Sequence, residues 1–391
     1  MHHFDLLVDK VLQKFQDCIL TENDNALRGK QQNKNYRLLV IIVGSPGSGK
    51  STIAQSLRSK LVETFQQKWW TESEYNKINA SLENVIPKSF SLDDLRADVD
   101  SLKDFNPKDV NKIIYDLDKI EQYKPRKTSY YSDKNMERTV IESYGGYDNS
   151  IMLTVDKGFS KKKKLTYNEW CEELVSIVPM DGFHLSRNVL AKFKNSDYMI
   201  ERRGSPPTFD SSNYLELIKL ICETSCLPYV TDTGRDASTL FKILNSENAA
   251  SHGELPTIYY PGFSHSEKDP QVNQHCIKPN TRIVILEGLY LLYNKSAWAH
   301  IYPTIDKKCG DNHIVIKVSV VKDSHGNEVT EEEEKVLSKR IANRHLASGL
   351  VSTIEEGYSR AQKNDLLNHR LIKEYCVPNV AQANTIVYEN L

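Results

Sequence analysis

Apolar positions along the chain follow two periods. Phe4, Leu7, Val8, Val11, Leu12, Phe15 and Ile19 recur at helical spacing, with Asp5, Asp9 and Asp17 between them. That pattern predicts an amphipathic helix packed on the body of the protein. Residues 21–35 are polar and read as a loop. Residues 37–43 are then almost continuously apolar and rich in branched side chains, up to Gly44. Such a run is a strand buried on both faces, as in a parallel sheet. Similar runs occur at 174–178, 282–286 and 313–320. Helical patterns lie at 52–70, 212–225 and 331–346. Strands alternating with helices predict an α/β fold with a doubly wound, mostly parallel sheet.

Two stretches interrupt this alternation. Residues 71–165 carry a helix pair at 92–105 and 107–123, the second opened by Asn106-Pro107 as N-cap and first-turn proline. They also carry two strand patterns, 138–144 and 150–155, around a Gly-Gly-Tyr-Asp-Asn turn, which predicts a hairpin. This stretch reads as an inserted, peripheral α+β module. Residues 227–254 are polar and less regular and read as a smaller insertion. The expected organisation is a helix and loop over 1–35, then one domain over 36–391 interrupted by these two insertions.

The strongest chemical signal sits where the first buried strand meets the next helix. Gly44, Ser45, Pro46, Gly47, Ser48, Gly49, Lys50, Ser51 and Thr52 fill the pattern G-x-x-x-x-G-K-[ST] in its required strand-to-helix context. Glycines let successive backbone N–H groups turn toward phosphate oxygens, and the helix amino end adds positive potential. Lys50 reaches the outer phosphates, and Ser51 offers a hydroxyl to Mg²⁺. A phosphate-binding loop does not by itself separate kinase from ATPase or GTPase. No Asn-Lys-x-Asp or Thr-Lys-x-Asp guanine-reading motif follows it.

Acids at strand ends narrow the choice. Glu287 closes one buried run, so its carboxylate emerges at the carboxyl edge of the sheet beside the loop, where a metal-water ligand belongs. Asp181 holds the equivalent place in Pro-Met-Asp-Gly-Phe-His and can accept the proton of an attacking hydroxyl. His184 either orients substrate or caps the loop. Arg340 and Arg344 stand four apart on one helix face, with Arg360 after them. They fit a cationic lid over the moving phosphoryl group. They equally fit an ordinary helix with acids at its start and bases at its end.

Composition mainly excludes. The 391 residues carry 51 Lys+Arg against 52 Asp+Glu, a net charge of -1, which is not the footprint of a nucleic-acid binder. The one basic run, Lys161 to Lys164, is read as a solvated loop. No apolar run reaches the ~20 residues of a membrane span. The first residues lack the features of a secretory or transit signal, so a cytoplasmic location is expected. Seven scattered cysteines fit a reduced compartment, and Cys222 and Cys226 read as buried free thiols rather than zinc ligands.

Taken in order, 44–52, 179–184, 202–210 with its Gly-x-Pro-x-Thr-Phe-Asp core, 261–270, 285–292 and Arg340-x-x-x-Arg344-His345 resemble the phosphoribulokinase, uridine kinase and pantothenate kinase group of P-loop kinases, nearest to its fungal ATP-dependent members. The resemblance runs from about residue 36 to the end and leaves out 71–165. It implies that Lys50 and Ser51 hold ATP and Mg²⁺, that Asp181 is the base, and that Glu287 sits at the metal. It places Arg340 and Arg344 in a lid, and Arg203, His265 and Asp269 on the acceptor side. Segment 261–270 departs from the uridine-kinase pattern, which tells against a uridine-like acceptor. The expected activity is transfer of the γ-phosphoryl group of ATP to a hydroxyl of a small metabolite. The alternative is a nucleotide-gated interaction or assembly ATPase using the insertion as partner site.

Overall fold

The computed structural model describes residues 3–29, 36–80, 85–86, 127–133, 136–156, 165–225, 229–231, 234–249, 256–322, 328–377, 380 and 384–391. The strands of its two larger sheets run, in chain order, β1 (Leu38–Gly44), β2 (Lys127–Ser132), β3 (Met136–Glu142), β4 (Ile151–Asp156), β5 (Val175–Pro179), β6 (Thr257–Ser264), β7 (Asp269–Ile277), β8 (Ile283–Glu287), β9 (His313–Ser319) and β10 (Thr385–Glu389). One sheet has the order β10-β9-β1-β8-β5, and every pairing in it is parallel. The other has the order β2-β3-β4-β6-β7 and is antiparallel throughout.

The parallel sheet is apolar on both faces. On β1, Leu38, Val40 and Ile42 join one core cluster, while Leu39, Ile41 and Val43 join the other. On β8, Ile283 and Ile285 go one way and Val284 and Leu286 the other. With both faces covered there is no polar alternation to keep, which is why the strands read as continuous apolar runs. One face takes helix α1 (His3–Leu27) and α2 (Lys50–Thr64). The opposite face takes α3 (Ser211–Glu223), with the core of the antiparallel sheet beyond it.

Two sequence expectations are corrected. Helix α1 does not stop near residue 20 but continues to Leu27. Glu22, Asn23 and Ala26 carry on its buried face. Asn23 is polar yet buried, because its side-chain amide bonds both backbone groups of Val230, at 3.2 and 3.0 Å. The smaller insertion also holds a regular helix, α4 (Ala237–Ala249). Its Leu240, Phe241, Ile243 and Leu244 are buried against α1, and Phe241 meets Trp70 and Trp170 edge-on or tilted.

The hairpin expected at 138–155 is present as β3 and β4. It lies in the antiparallel sheet, because β4 pairs with β6 through Met152, Leu153 and Thr154. The helix pair at 92–105 and 107–123, the run Lys161–Lys164 and Cys226 lie outside the described residues. Cys222 is a buried free thiol, 3.3 Å from the sulfur of Cys309 on helix α5 (Ile301–Cys309).

Candidate active site

Strand β1 ends at Gly44 and α2 begins at Lys50. Between them, Gly47 and Gly49 take φ of 78° and 93°. Those angles strain any residue with a Cβ, which is why glycine stands at both positions. Lys50 is buried and folds back to donate to the Ser45 carbonyl at 2.9 Å. Burial pulls its ammonium below the ordinary lysine range, while the Glu287 and Asp181 carboxylates oppose that pull.

Sheet register sets the two acids. Glu287, the last residue of β8, stands opposite Ile42 of β1 on one side and Pro179 of β5 on the other. Asp181 follows two residues after Pro179. The buried acid therefore lies between the strand feeding the phosphate loop and the strand feeding Asp181. Burial pushes the Glu287 carboxyl up to about 7. Asp181 adds to that rise, while Lys50 and a hydrogen bond with Ser51 oppose it. The Asp181 side chain is 48% exposed. A cleft of about 670 Å³ opens in front of these groups. Ser51 lines it on the side of the phosphate loop, Glu287 and Asp181 come next, and Tyr260, Phe263, His265 and His275 line the side made by β6 and β7.

The loop carrying Asp181 is held by groups far away in sequence. Asn149, in the turn between β3 and β4, donates to the carbonyls of Gly182 at 3.1 Å and His184 at 3.0 Å. It is fully buried, and its own carbonyl accepts from Asn213 at 2.5 Å. Asp210 is the N-cap of α3, and its second oxygen accepts the Gly145 N–H at 2.9 Å. The hairpin turn is thus the support beneath the candidate base. An asparagine in a Gly-rich turn reads only as a turn former, so no sequence signal separated Asn149 from its neighbours.

The remaining sequence candidates sort by distance from this point. His184 stacks between Phe209 and Phe263, with ring centroids 4.0 and 4.8 Å away. Its Nδ1 is 2.9 Å from the Asp181 carbonyl. A carbonyl only accepts, so Nδ1 carries the proton. Burial lowers the imidazole's pKa and favours this neutral form. These contacts hold the Asp181 loop. Arg203 and Asp269 meet each other at 2.7 Å, and Arg203 also donates to the Leu185 and Lys268 carbonyls. They brace the outer wall. His265 is exposed at the cleft, edge-on to Phe263. Arg202 is buried and grips Asn364 and Asn368 at 2.6 and 2.8 Å.

The arginine pair divides. Both belong to helix α6 (Glu331–Ala347). Arg344 is exposed, 3.5 Å from Asp365, and close enough to Lys50 to act on its charge. Arg360, at the end of helix α7 (Ile354–Arg360), acts on the same Asp365. Arg340 instead donates to the Asn390 carbonyl at 2.9 Å.

No model of a known protein family matches the sequence. Whole-chain relatives do. The chain is 38% identical over 371 residues to the ATP-dependent kinase YFH7 of Saccharomyces cerevisiae, spanning 93% of this chain and 96% of that one. It is 38% identical over 377 residues to the protein of the same name from Lachancea thermotolerans, covering 95% and 94%. The crystal structure of YFH7 from Saccharomyces cerevisiae, described as a candidate P-loop containing kinase with a circular permutation, matches with a TM-score of 0.68 at 32% identity, over 99% of both chains. A P-loop at the edge of a parallel sheet, acids on the neighbouring strand ends and relatives matched over nearly their whole length place this chain in the YFH7 family of ATP-dependent kinases.

Proposed function

We propose that this kinase transfers the γ-phosphoryl group of ATP to a hydroxyl of a small metabolite, with Asp181 as the base. One observation carries the reading. Asp181 projects into a cleft of about 670 Å³ beside the phosphate loop, half-exposed, while the neighbouring acid Glu287 is buried. The volume suits a small molecule rather than a macromolecular surface.

In this mechanism the loop amides and Lys50 bind the β- and γ-phosphates. The acceptor hydroxyl lies against Asp181, which takes its proton as the oxygen attacks the γ-phosphorus. The bond from that phosphorus to the β–γ bridging oxygen breaks, and ADP leaves with the bridging oxygen. Arg344, on an exposed helix face, swings toward the transferring group and balances its charge. Ser51 and Glu287 offer hard oxygen donors that suit Mg²⁺, which would supply charge neutralisation across the β- and γ-phosphates. Among the described residues no three His, Cys, Asp or Glu side chains cluster into a metal cage.

The test is ATP turnover by the purified protein against a pool of small hydroxyl metabolites, with products read by mass. A new phosphomonoester that disappears in Asp181→Asn, while ADP still binds, supports the reading. Steady hydrolysis with no phosphorylated product would shift weight to the nucleotide-gated ATPase. Equal loss of ADP binding and turnover in Asp181→Asn would remove Asp181 from the role of base.

A further inference from the structure

The phosphate loop has a second contact surface, on the side away from the cleft. Ser45 Oγ lies 2.6 Å from Nδ1 of His369, and both side chains are buried. His369 belongs to helix α8 (Leu366–Glu374) and is fully enclosed. Its other nitrogen, Nε2, has no hydrogen-bond partner among the described residues. It faces Glu333 Oε2 across 3.9 Å. Glu333 lies in the first turn of α6, is itself buried, and is paired with Lys373 at 2.9 Å.

Helix α6 meets the loop once directly and once through Asn390. A Cβ on Gly47 would come within 2.8 Å of Ile341. Asn390 donates to the Ser48 carbonyl at 2.7 Å while its own carbonyl accepts from Arg340. The helix that carries Arg344 is therefore packed directly on the loop that holds the phosphates.

We infer that His369 is a positioning residue that couples the phosphate loop to helix α6, through Ser45 on one side and Glu333 on the other. Burial keeps the imidazole neutral, so it carries one proton. With that proton on Nε2, facing the Glu333 carboxylate, Nδ1 accepts the Ser45 O–H. The 3.9 Å gap is about 1 Å longer than a typical N–H···O hydrogen bond. A small shift of α6 toward α8 closes it. Phosphates that fix the loop backbone fix Ser45, and through His369 they bias the first turn of the helix bearing Arg344. By linkage, whatever draws α6 inward also tightens phosphate binding. This concerns nucleotide binding alone and stands whether or not Asp181 is the base.

The experiment uses the full chain and ADP with magnesium. Affinity is measured by titration calorimetry, and hydrogen–deuterium exchange is followed over residues 331–347. In the unaltered protein, ADP slows exchange in α6. In His369→Leu and in Ser45→Ala, affinity falls about fivefold, the scale of one neutral hydrogen bond. In both variants the slowing in α6 is lost even at saturating ADP. The double variant is no weaker than either single one, because both remove the same contact. His369→Asn, whose amide can stand in for Nδ1, recovers affinity to within about twofold. Should His369→Leu fail to fold, Ser45→Ala and His369→Asn carry the test from the other end. Undiminished protection of α6 in the Ser45 and His369 variants at saturation, or losses that multiply in the double variant, would overturn the coupling.

Discussion

The two walls of the cleft are built in opposite ways. The phosphate side is nine consecutive residues at one strand–helix junction, with Ser51 at the cleft, and a loop of this kind works through backbone amides rather than through particular side chains. The facing wall is assembled from side chains. Phe263 and His275 line it from β6 and β7, while behind the lining Asn149 reaches in from a turn more than a hundred residues earlier and the Arg203–Asp269 pair joins segments 66 residues apart. A site made of backbone needs only permissive residues and the right local conformation. A site made of side chains needs the fold first, and it can change its chemistry by exchanging single residues without touching the phosphate wall. That difference explains why the nucleotide is legible here and the acceptor is not.

Separating the walls is the sharpest way to probe this contrast. The largest effect is expected from Asp181→Asn, which should cut phosphoryl transfer by about a thousandfold while ADP affinity stays within about threefold. Product mass and calorimetry read the two halves independently, and a parallel fall in both would show that the walls are not separable. Next is Asn149→Leu. It removes two hydrogen bonds to the Asp181 loop and should cost about 2 kcal/mol in urea unfolding. Because it displaces the proposed base, it should also slow transfer by roughly a hundredfold with little change in ADP binding. Unchanged turnover would mean that the hairpin supports the fold but not the chemistry.

A smaller effect concerns Glu287, which stands between the walls. Its carboxyl is pushed up to about 7, so it is protonated below that pH in the free protein. Holding a cation requires the ionised form, and binding therefore releases a proton. Magnesium–ADP affinity should rise with pH up to about 7, by at most about tenfold per unit, and level off above. Glu287→Gln should lose this contribution, leaving only the titration of the nucleotide itself; an identical pH profile in that variant would assign the dependence elsewhere. The smallest effect is expected from Asp269→Asn. The Arg203–Asp269 pair is partly exposed, so screening limits its loss to about 1 kcal/mol. A shift of a few degrees in Tm with unchanged ADP affinity would place the pair in the facing wall alone.

Deleting residues 71–165 as a block would not isolate the role of the insertion. It would remove β2, β3 and β4 together with Asn149, and so strip the antiparallel sheet and unsupport Asp181. Point changes at the turn keep the sheet intact and ask the same question.

The parallel sheet, the phosphate loop and the two strand-end acids were all readable from local pattern. Period and composition report directly on which backbone is buried on both faces, and the loop's function is a property of contiguous backbone. The places where the reading stopped short share a cause. Helix α1 runs past its apolar stripe because Asn23 finds a backbone partner at Val230, and α4 is regular because its apolar face meets Trp70 and Trp170. Arg340 and Arg344 looked equivalent four residues apart, yet one bonds the Asn390 carbonyl and the other is exposed beside Asp365. His184 looked equally suited to two roles until Phe209, Phe263 and the Asp181 carbonyl enclosed it. His369 carried no signal at all, since its meaning depends on Ser45, 324 residues away. Sequence alone determined the nucleotide-binding junction and the sheet that presents it, because those depend on local conformation and periodic burial. Only the tertiary structure decided which polar side chains are spent on holding the fold and which remain to act, because a hydrogen-bond partner is chosen by distance in space and not by distance along the chain.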